Sequence, residues 1–193
     1  GYSERFRKEI KDVIDVVHGN AVIKERPGHA AGTYARNVSN YVIGILLGRE
    51  WEPSTVITTN SKNKKITKFI GDFISLPEGN PMEAWLAEMM DFTVRYETQI
   101  YRTQRPVSFV NWLPLDPMYH NSEFIESKKV REYDNDIESI DFRKFYRTPL
   151  FRAGIYSAYH AYPYYPDYVY MDEKYKGGIN HKGEKDNYYA YLE

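Results

Sequence analysis

The hydrophobic positions of this chain follow two different periods along its length. Phe6, Ile10 and Val17 belong to a stripe with helical spacing, which predicts an amphipathic helix over residues 3–17. Residues 41–47 form instead an unbroken apolar run, which is typical of a strand buried on both faces in a parallel sheet. The same reasoning predicts further strands at 21–23, 107–112 and 153–160, and further helices at 81–102, 139–147 and 186–193.

The predicted helices and strands alternate, and the connections between them differ in length. The long connections, 49–80, 113–138 and 161–185, each follow a strand and precede a helix. Alternation of this kind predicts an α/β fold with a parallel sheet, whose four strands are neighbours in chain order. Because α/β folds carry their functional residues on the loops that follow the strands, these three loops are where a site is expected.

Composition narrows the classes of function. The chain has 193 residues and a net charge of −1, so bulk electrostatics favour neither nucleic acid nor an anionic membrane as a partner. Cysteine is absent, which excludes disulfides and thiolate metal sites but leaves the cellular compartment open. No run of 18 apolar residues occurs, so no membrane-spanning helix is predicted.

Aromatic residues are abundant in this chain, which contains nineteen Tyr and three Trp. One interpretation is that they fill the core and pack interfaces. The other is a sugar-binding cleft, because a pyranose ring stacks one apolar face on an aromatic ring while its hydroxyls need polar partners. Composition alone leaves both interpretations open.

A motif that carries chemistry lies at the end of the run 41–47. The segment from Tyr41 to Pro53 has the sequence YVIGILLGREWEP. It resembles the fourth strand of the clan-A retaining glycoside hydrolases, the group of cellulases, β-mannanases and β-galactosidases. The resemblance implies a (β/α)8 TIM barrel in which Glu50 is the general acid/base. Arg49 departs from the family, which usually has Asn there to contact the sugar 2-hydroxyl, so the subsite around Arg49 is expected to differ.

The chemistry of glycoside hydrolysis explains why such a Glu is needed. A glycosidic oxygen is a poor leaving group until it is protonated, and the donor must still hold its proton near neutral pH. The pKa of the donor must therefore be raised by partial burial or by a like charge. Glu52 is a second candidate for this role, and a surface ion pair of Glu50 with Arg49 or a lysine is the alternative without catalysis. Trp51 would be part of the substrate-binding wall.

A second motif resembles the sixth strand of the same clan. The segment from Tyr156 to Pro166 has the sequence YSAYHAYPYYP, and His160 and Tyr162 match an H-x-Y pair that closes the site in the family. The resemblance implies that the Tyr hydroxyl contacts the nucleophile carboxylate, and that the His helps to hold the acid/base or the substrate. Tyr164 and Tyr165 are predicted to form aromatic walls of the cleft.

The segment between these two motifs is expected to be the fifth strand of the resemblance. Asn111 and Trp112 lie at its carboxyl end and are predicted to bind substrate, although a core position for Trp112 is an equal alternative. His29, in the loop after the strand at 21–23, is a further candidate for the cleft.

An acidic loop follows, with Asp134, Asp136, Glu138 and Asp141. It lacks the spacing of a calcium-binding loop. A solvated loop is therefore predicted, with no metal and no cofactor.

The resemblance covers roughly strands three to six, so residues 1–193 are predicted to be a single segment of a barrel truncated at both ends. Retaining hydrolysis uses two carboxylates about 5 Å apart, and in the family the nucleophile is a Glu after the seventh strand. Glu184 lies in a polar, Gly-rich stretch and is a poor candidate. The nucleophile is therefore expected outside this chain, which alone should be inactive and could self-associate through exposed barrel edges.

Three functional hypotheses follow from these patterns. The first is retaining hydrolysis of a β-linked oligo- or polysaccharide as part of a longer protein, with Glu50 as general acid/base. The second is a non-catalytic carbohydrate-binding or scaffold module that keeps a Tyr- and Trp-rich cleft. The third is an α/β domain whose Tyr-rich loop binds a protein partner.

Overall fold

The structure is a computed structural model that describes residues 1–120, 137–162 and 168–193. The chain divides into two compact units, and each is built from three separate stretches of sequence. The first unit consists of Gly1–Leu47, Lys65–Phe109 and Phe142–Ser157, and the second of Gly48–Lys64, Val110–Asp141 and Ala158–Glu193.

Two long helices of the first unit confirm the helical spacing found in the sequence. Helix α1 spans Tyr2–Val17 and buries Ile10 and Ile14. Helix α3 spans Pro81–Tyr101 and begins with a capping box, in which the Asn80 side chain accepts the Glu83 amide at 2.9 Å. The Glu83 carboxylate in turn accepts the Asn80 amide at 2.7 Å. The reciprocal bonds satisfy two amides that have no partner inside the helix.

A buried ionic cluster ties the end of α3 to the rest of the first unit. The Glu97 carboxylate, 2% exposed, accepts the Arg105 guanidinium at 2.7 Å and lies 2.8 Å from the His18 ring. Arg105 also donates to the carbonyls of Ser39 and Val42 at 2.8 and 2.7 Å. The cation is therefore paired and hydrogen-bonded, as a buried charge must be.

Two sheets of the first unit are antiparallel. Strand β1 (Ala21–Ile23) pairs with β2 (Gly32–Tyr34), and β5 (Ile74–Leu76) lies between β4 (Phe69–Ile70) and β7 (Tyr146–Arg147). The buried Asp91 carboxylate accepts the amides of Phe73 and Ile74 at 2.7 and 3.1 Å. It thereby fixes the start of β5 against α3.

The parallel pairings involve three strands. In the first unit, β3 (Ile45–Leu47) pairs with the first half of β6 (Val107–Trp112), so that Leu47 lies opposite Phe109. In the second unit, the other half of β6 pairs with β8 (Ala158–His160), so that Trp112 lies opposite His160. The prediction of parallel pairing in the order 41–48, 107–112 and 153–160 is confirmed at these positions.

The predicted TIM barrel, whole or partial, is wrong. The described residues form sheets of two, three and three strands, with the orders β1-β2, β3-β6-β8 and β4-β5-β7. A barrel needs a ring of eight parallel strands. Here β1 turns back antiparallel onto β2 instead of joining β3, and the connection 49–80, which was predicted to be a loop, supplies the antiparallel strands β4 and β5.

Three other segments differ from their predictions. The apolar run 41–47 is a strand only from Ile45, and Ile43 is 92% exposed. Residues 139–147 contain a single 3-10 turn, Phe142–Lys144, and then β7. Part of the predicted loop 49–80 is helical, as α2 (Pro53–Lys62).

The second unit has an aromatic core. Helices α4 (Tyr168–Met171) and α5 (Asn187–Leu192) belong to it, and its buried cluster consists of Leu113, Tyr168, Val169, Tyr175 and Tyr191. No helix among the described residues is long and apolar enough to cross a membrane.

A buried acid anchors this core. The Asp116 carboxylate accepts the hydroxyls of Tyr191 at 2.8 Å and Tyr168 at 3.2 Å. The ring of His120 stacks on Tyr168 with 3.4 Å between centroids, and its Nε2 lies 3.1 Å from the Tyr175 hydroxyl. Burial and the neighbouring Asp116 charge raise the pKa of Tyr191. This phenol therefore stays neutral and donates.

Candidate functional site

A sharp turn after β3 places Glu50. Gly48 has a φ of 79°, in the left-handed region that other residues rarely adopt. The Trp51 ring also packs directly on it, since a Cβ at Gly48 would lie only 2.3 Å from that ring. Glu52 is then the N-cap of α2 and Pro53 its first residue. Glu50 is thus held between a fixed turn and a helix start.

Gly48→Ala is expected to destabilise the chain by about 2–3 kcal/mol. A non-glycine residue in the left-handed region is strained by about 1–3 kcal/mol, and the new methyl group must also displace the Trp51 ring. Urea unfolding followed by fluorescence measures the change. Gly183→Ala is the control, because Gly183 has a φ of 80° but no atom within 4 Å of its added Cβ. Equal losses in the two variants would show that Trp51 packing contributes nothing.

Glu50 is contacted by two side chains from more than 100 residues further along the chain. His160 Nδ1 lies 2.9 Å from Glu50 Oε1, and the Tyr162 hydroxyl donates to the same oxygen at 3.0 Å. An ionised carboxylate only accepts hydrogen bonds, so the His160 nitrogen that faces it carries the proton. Among the described residues Oε2 has no hydrogen bond, and the Glu50 side chain is 29% exposed. His160 and Tyr162 thus both hold Oε1, and the Glu50 side chain is partly exposed.

These contacts determine the ionisation of Glu50. The hydrogen bond from His160 is the main cause that lowers the pKa of Glu50, and the Tyr162 hydroxyl and the His160 and Arg49 charges lower it further. Partial burial acts in the opposite direction and does not outweigh them. Glu50 is therefore ionised at neutral pH, and its bonds are lost only as the pH falls through the lowered value.

Trp112 lies opposite His160, which contacts Glu50. It is paired in register with His160 on the neighbouring parallel strand, so the two side chains project from the same face of the sheet. Its indole Nε1 donates to the backbone carbonyl of Trp51 at 2.8 Å. The Trp112 side chain is partly exposed. This arrangement suits an aromatic surface beside Glu50.

Other residues proposed from the sequence lie elsewhere. Trp51 and Asn111 are 8% and 1% exposed, so they lie behind the site instead of lining it. Asn111 donates to the Ile140 carbonyl at 2.9 Å and accepts the Trp112 amide at 2.9 Å. Arg49 is exposed. Tyr164 and Tyr165 lie outside the described residues.

His29 belongs to the first unit. It lines a cleft of about 1010 Å³ at the β1–β2 connection, together with Arg26. Its Nδ1 lies 4.0 Å from the carboxylate of Glu9, which also pairs with Arg26 at 2.5 Å. The structure therefore gives His29 ionic partners within the first unit.

The acidic loop shows no metal site in the part of the chain that the structure describes. Asp134 and Asp136 lie outside that part, and Glu138 accepts the Asn60 amide at 2.8 Å. No group of three His, Asp or Glu side chains that could hold a metal occurs among the described residues.

The supporting contact of Tyr188 was not predicted from the sequence. The Tyr188 hydroxyl donates to the Ala161 carbonyl at 3.1 Å, directly between His160 and Tyr162. Tyr188 lies 27 residues beyond Ala161, and the spacing that predicts its helix does not indicate which distant backbone group its hydroxyl reaches. The one available signal was the density of Tyr residues near the end of the chain.

Comparisons of the chain with protein-family models, with curated proteins and with solved structures gave no match. The geometry around Glu50 is therefore the basis for assigning a function.

Proposed function

We propose that the residues around Glu50 form the carbohydrate site of a glycoside hydrolase-like protein that acts on a β-linked oligo- or polysaccharide. The observation that carries the proposal is the pair of hydrogen bonds from His160 and Tyr162 to a single oxygen of Glu50. The three residues come from two separate motifs, and the fold brings them together at the carboxyl ends of parallel strands.

The chemistry of sugars fits this arrangement. A sugar presents hydroxyl donors around an apolar ring, so it needs a charged acceptor next to an aromatic face. Glu50 Oε2 provides the acceptor and Trp112 the face. Hydrogen bonds between neutral hydroxyls and an ionised carboxylate are among the stronger ones in proteins.

The ionisation of Glu50 limits the steps it performs. With its pKa lowered, the resting carboxylate is suited to accept a proton from water or to attack the anomeric carbon, and it is a poor acid. To serve also as the acid, Glu50 must gain a proton when a second negative group approaches, because a like charge raises a carboxyl pKa. In a retaining mechanism that group is the second carboxylate about 5 Å away.

The lowered pKa of Glu50 also favours a second candidate function. A carboxylate that remains ionised throughout serves well as a sugar-binding acceptor without any catalysis. This is the carbohydrate-binding or scaffold module of the sequence analysis. The two candidates share the site and differ in whether a bond is broken.

The binding part of the proposal is tested with Trp112. Titration with β-linked oligosaccharides, followed by NMR of the indole and imidazole protons, should shift the signals of Trp112 and His160. Trp112→Ala should weaken binding about fivefold or more, since truncation of an aromatic anchor in a binding site costs over about 1 kcal/mol. Trp112→Phe should bind much better than Trp112→Ala, because it keeps a stacking face and loses only the bond to Trp51.

Two results would contradict the binding proposal. One is the absence of any shift with glucans, mannans and galactans at millimolar concentration. The other is equal weakening in the two variants at Trp112, which would assign to this residue a structural role through its bond to Trp51.

A further inference from the structure

The middle residue of the His160–Tyr162 segment lies outside strand β8. The strand ends at His160, so its parallel pairing with β6 stops before Ala161, and Tyr162 takes part in an isolated β-bridge. The positions of the two donors to Glu50 therefore depend on what holds the backbone between them.

The structure provides that support from α5. The hydroxyl of Tyr188 donates to the Ala161 carbonyl at 3.1 Å. Ala161, Tyr188 and Ala190 also pack against the aromatic core of the second unit. A bond to the middle residue of the three restrains the residues on both sides of it.

Helix α5 is itself anchored at three places. The Asp186 side chain accepts the Tyr189 amide at 2.9 Å and caps the helix. The Tyr191 hydroxyl donates to the buried Asp116 at 2.8 Å. Gly178 packs so closely that an added Cβ would lie 2.3 Å from Ala190. The helix is thus fixed to the loop that follows β6, which is the strand that carries Trp112.

We propose that Tyr188 is a positioning residue for the carboxylate site, and that its hydroxyl holds the Ala161 carbonyl so that His160 and Tyr162 both reach Glu50. The inference rests on the proposed function only because it takes Glu50 as the functional carboxylate. Asp116 acts one step further away, through Tyr191, as the anchor of the helix that presents Tyr188.

The test is Tyr188→Phe, which keeps the ring and removes the hydroxyl. The pKa of Glu50, measured by NMR of carboxyl carbons in Glu-labelled protein, should rise toward its ordinary value of about 4.3, because both donors become looser. The His160 ring signals should change with it. Tyr189→Phe is the matched control on the same helix, and it should leave the pKa of Glu50 unchanged.

If Tyr188 only stabilises the fold, Tyr188→Phe should have a lower melting temperature and an unchanged pKa of Glu50. That outcome overturns the inference. Tyr188→4-aminophenylalanine places a weaker N–H donor at the same position and should give Glu50 a pKa between those of Tyr188→Phe and the wild type. If Tyr188→Phe does not fold, the amino variant replaces it and should show a smaller rise, because an aniline is the weaker donor; no rise would overturn the inference.

Failure of the proposed function is recognised separately. If the pKa of Glu50 moves as expected but no sugar binds to the wild-type chain, the positioning role stands and the carbohydrate proposal falls. If sugar binds but the pKa of Glu50 is the same in Tyr188→Phe and in the wild type, the reverse holds.

Discussion

Glu50→Gln should slow the cleavage of β-glycosides with poor leaving groups about 10²–10⁴-fold, the usual contribution of a general acid/base. The substitution should preserve the fold, since the amide fills the same space beside His160 and Tyr162. Substrates with a nitrophenolate leaving group need little protonation, and their first step should be much less affected. The measurement is the dependence of kcat/KM on the leaving group. It uses a form of the protein that contains both carboxylates of the retaining mechanism.

Glu52→Gln is the matched control. Glu52 is exposed two residues away, at the N-cap position of α2, where its side chain makes no capping hydrogen bond. Its replacement should therefore change the cleavage rate of neither substrate. Equal slowing of both substrates in Glu50→Gln would contradict the role of acid/base. The selective effect appearing in Glu52→Gln would transfer the role to that residue.

Azide distinguishes the two catalytic roles that remain open to Glu50. In Glu50→Ala, a small anion can enter the space of the lost carboxylate. If Glu50 is the acid/base, azide attacks the glycosyl-enzyme and gives the β-glycosyl azide. If Glu50 is the nucleophile, as its ionised resting state permits, azide attacks the substrate directly and gives the α-anomer. If azide yields neither product, Glu50 has no catalytic role and the binding module is favoured.

Glu97→Ala should destabilise the chain by about 3–5 kcal/mol, the usual cost of removing one partner of a buried ion pair. The variant leaves the Arg105 guanidinium, 8% exposed, without its carboxylate. Chemical denaturation measures the loss.

Glu88→Ala is the control on the same helix, because Glu88 forms a partly exposed pair with Arg7. Exposed pairs contribute only about 0–1 kcal/mol. Losses of similar size in the two variants would contradict the buried cluster as a source of stability.

The sequence predicted the elements whose signals are local. The stripe of α1, the Asn80-Pro81 start of α3 and the apolar strand β6 all appear at their predicted positions. Helical spacing, capping residues and continuous apolar runs act over a few residues, and a single sequence contains them in full.

The topology was not predictable in the same way. Whether β1 pairs with β2 or lies beside β3 depends on a loop of eight residues and on competing partners, which periodicity does not specify. The two-residue strands β4 and β7 are too short to give any period. The inference from alternating elements to a barrel failed for this reason, since alternation alone does not decide which edges pair.

The site shows the same division. The motifs around Glu50 and His160 identified residues that the structure brings within 3.0 Å of each other. The motifs did not predict the ionisation state of Glu50, because that state depends on which donors reach its carboxylate. The burial of Trp51 and Asn111 was also missed, since neither residue type indicates on which side of a strand end the ligand lies.

The interleaved construction of the two units has a consequence for folding kinetics. The chain passes between the units at five points, and the contact between Glu50 and His160 closes a loop of 110 residues. Closing long loops costs chain entropy before any contact compensates for it, so non-local topologies fold slowly. The helices α1 and α3 can therefore form early from local interactions. The carboxylate site belongs to the last contacts, and neither unit corresponds to a contiguous piece of chain that could emerge from the ribosome and fold first.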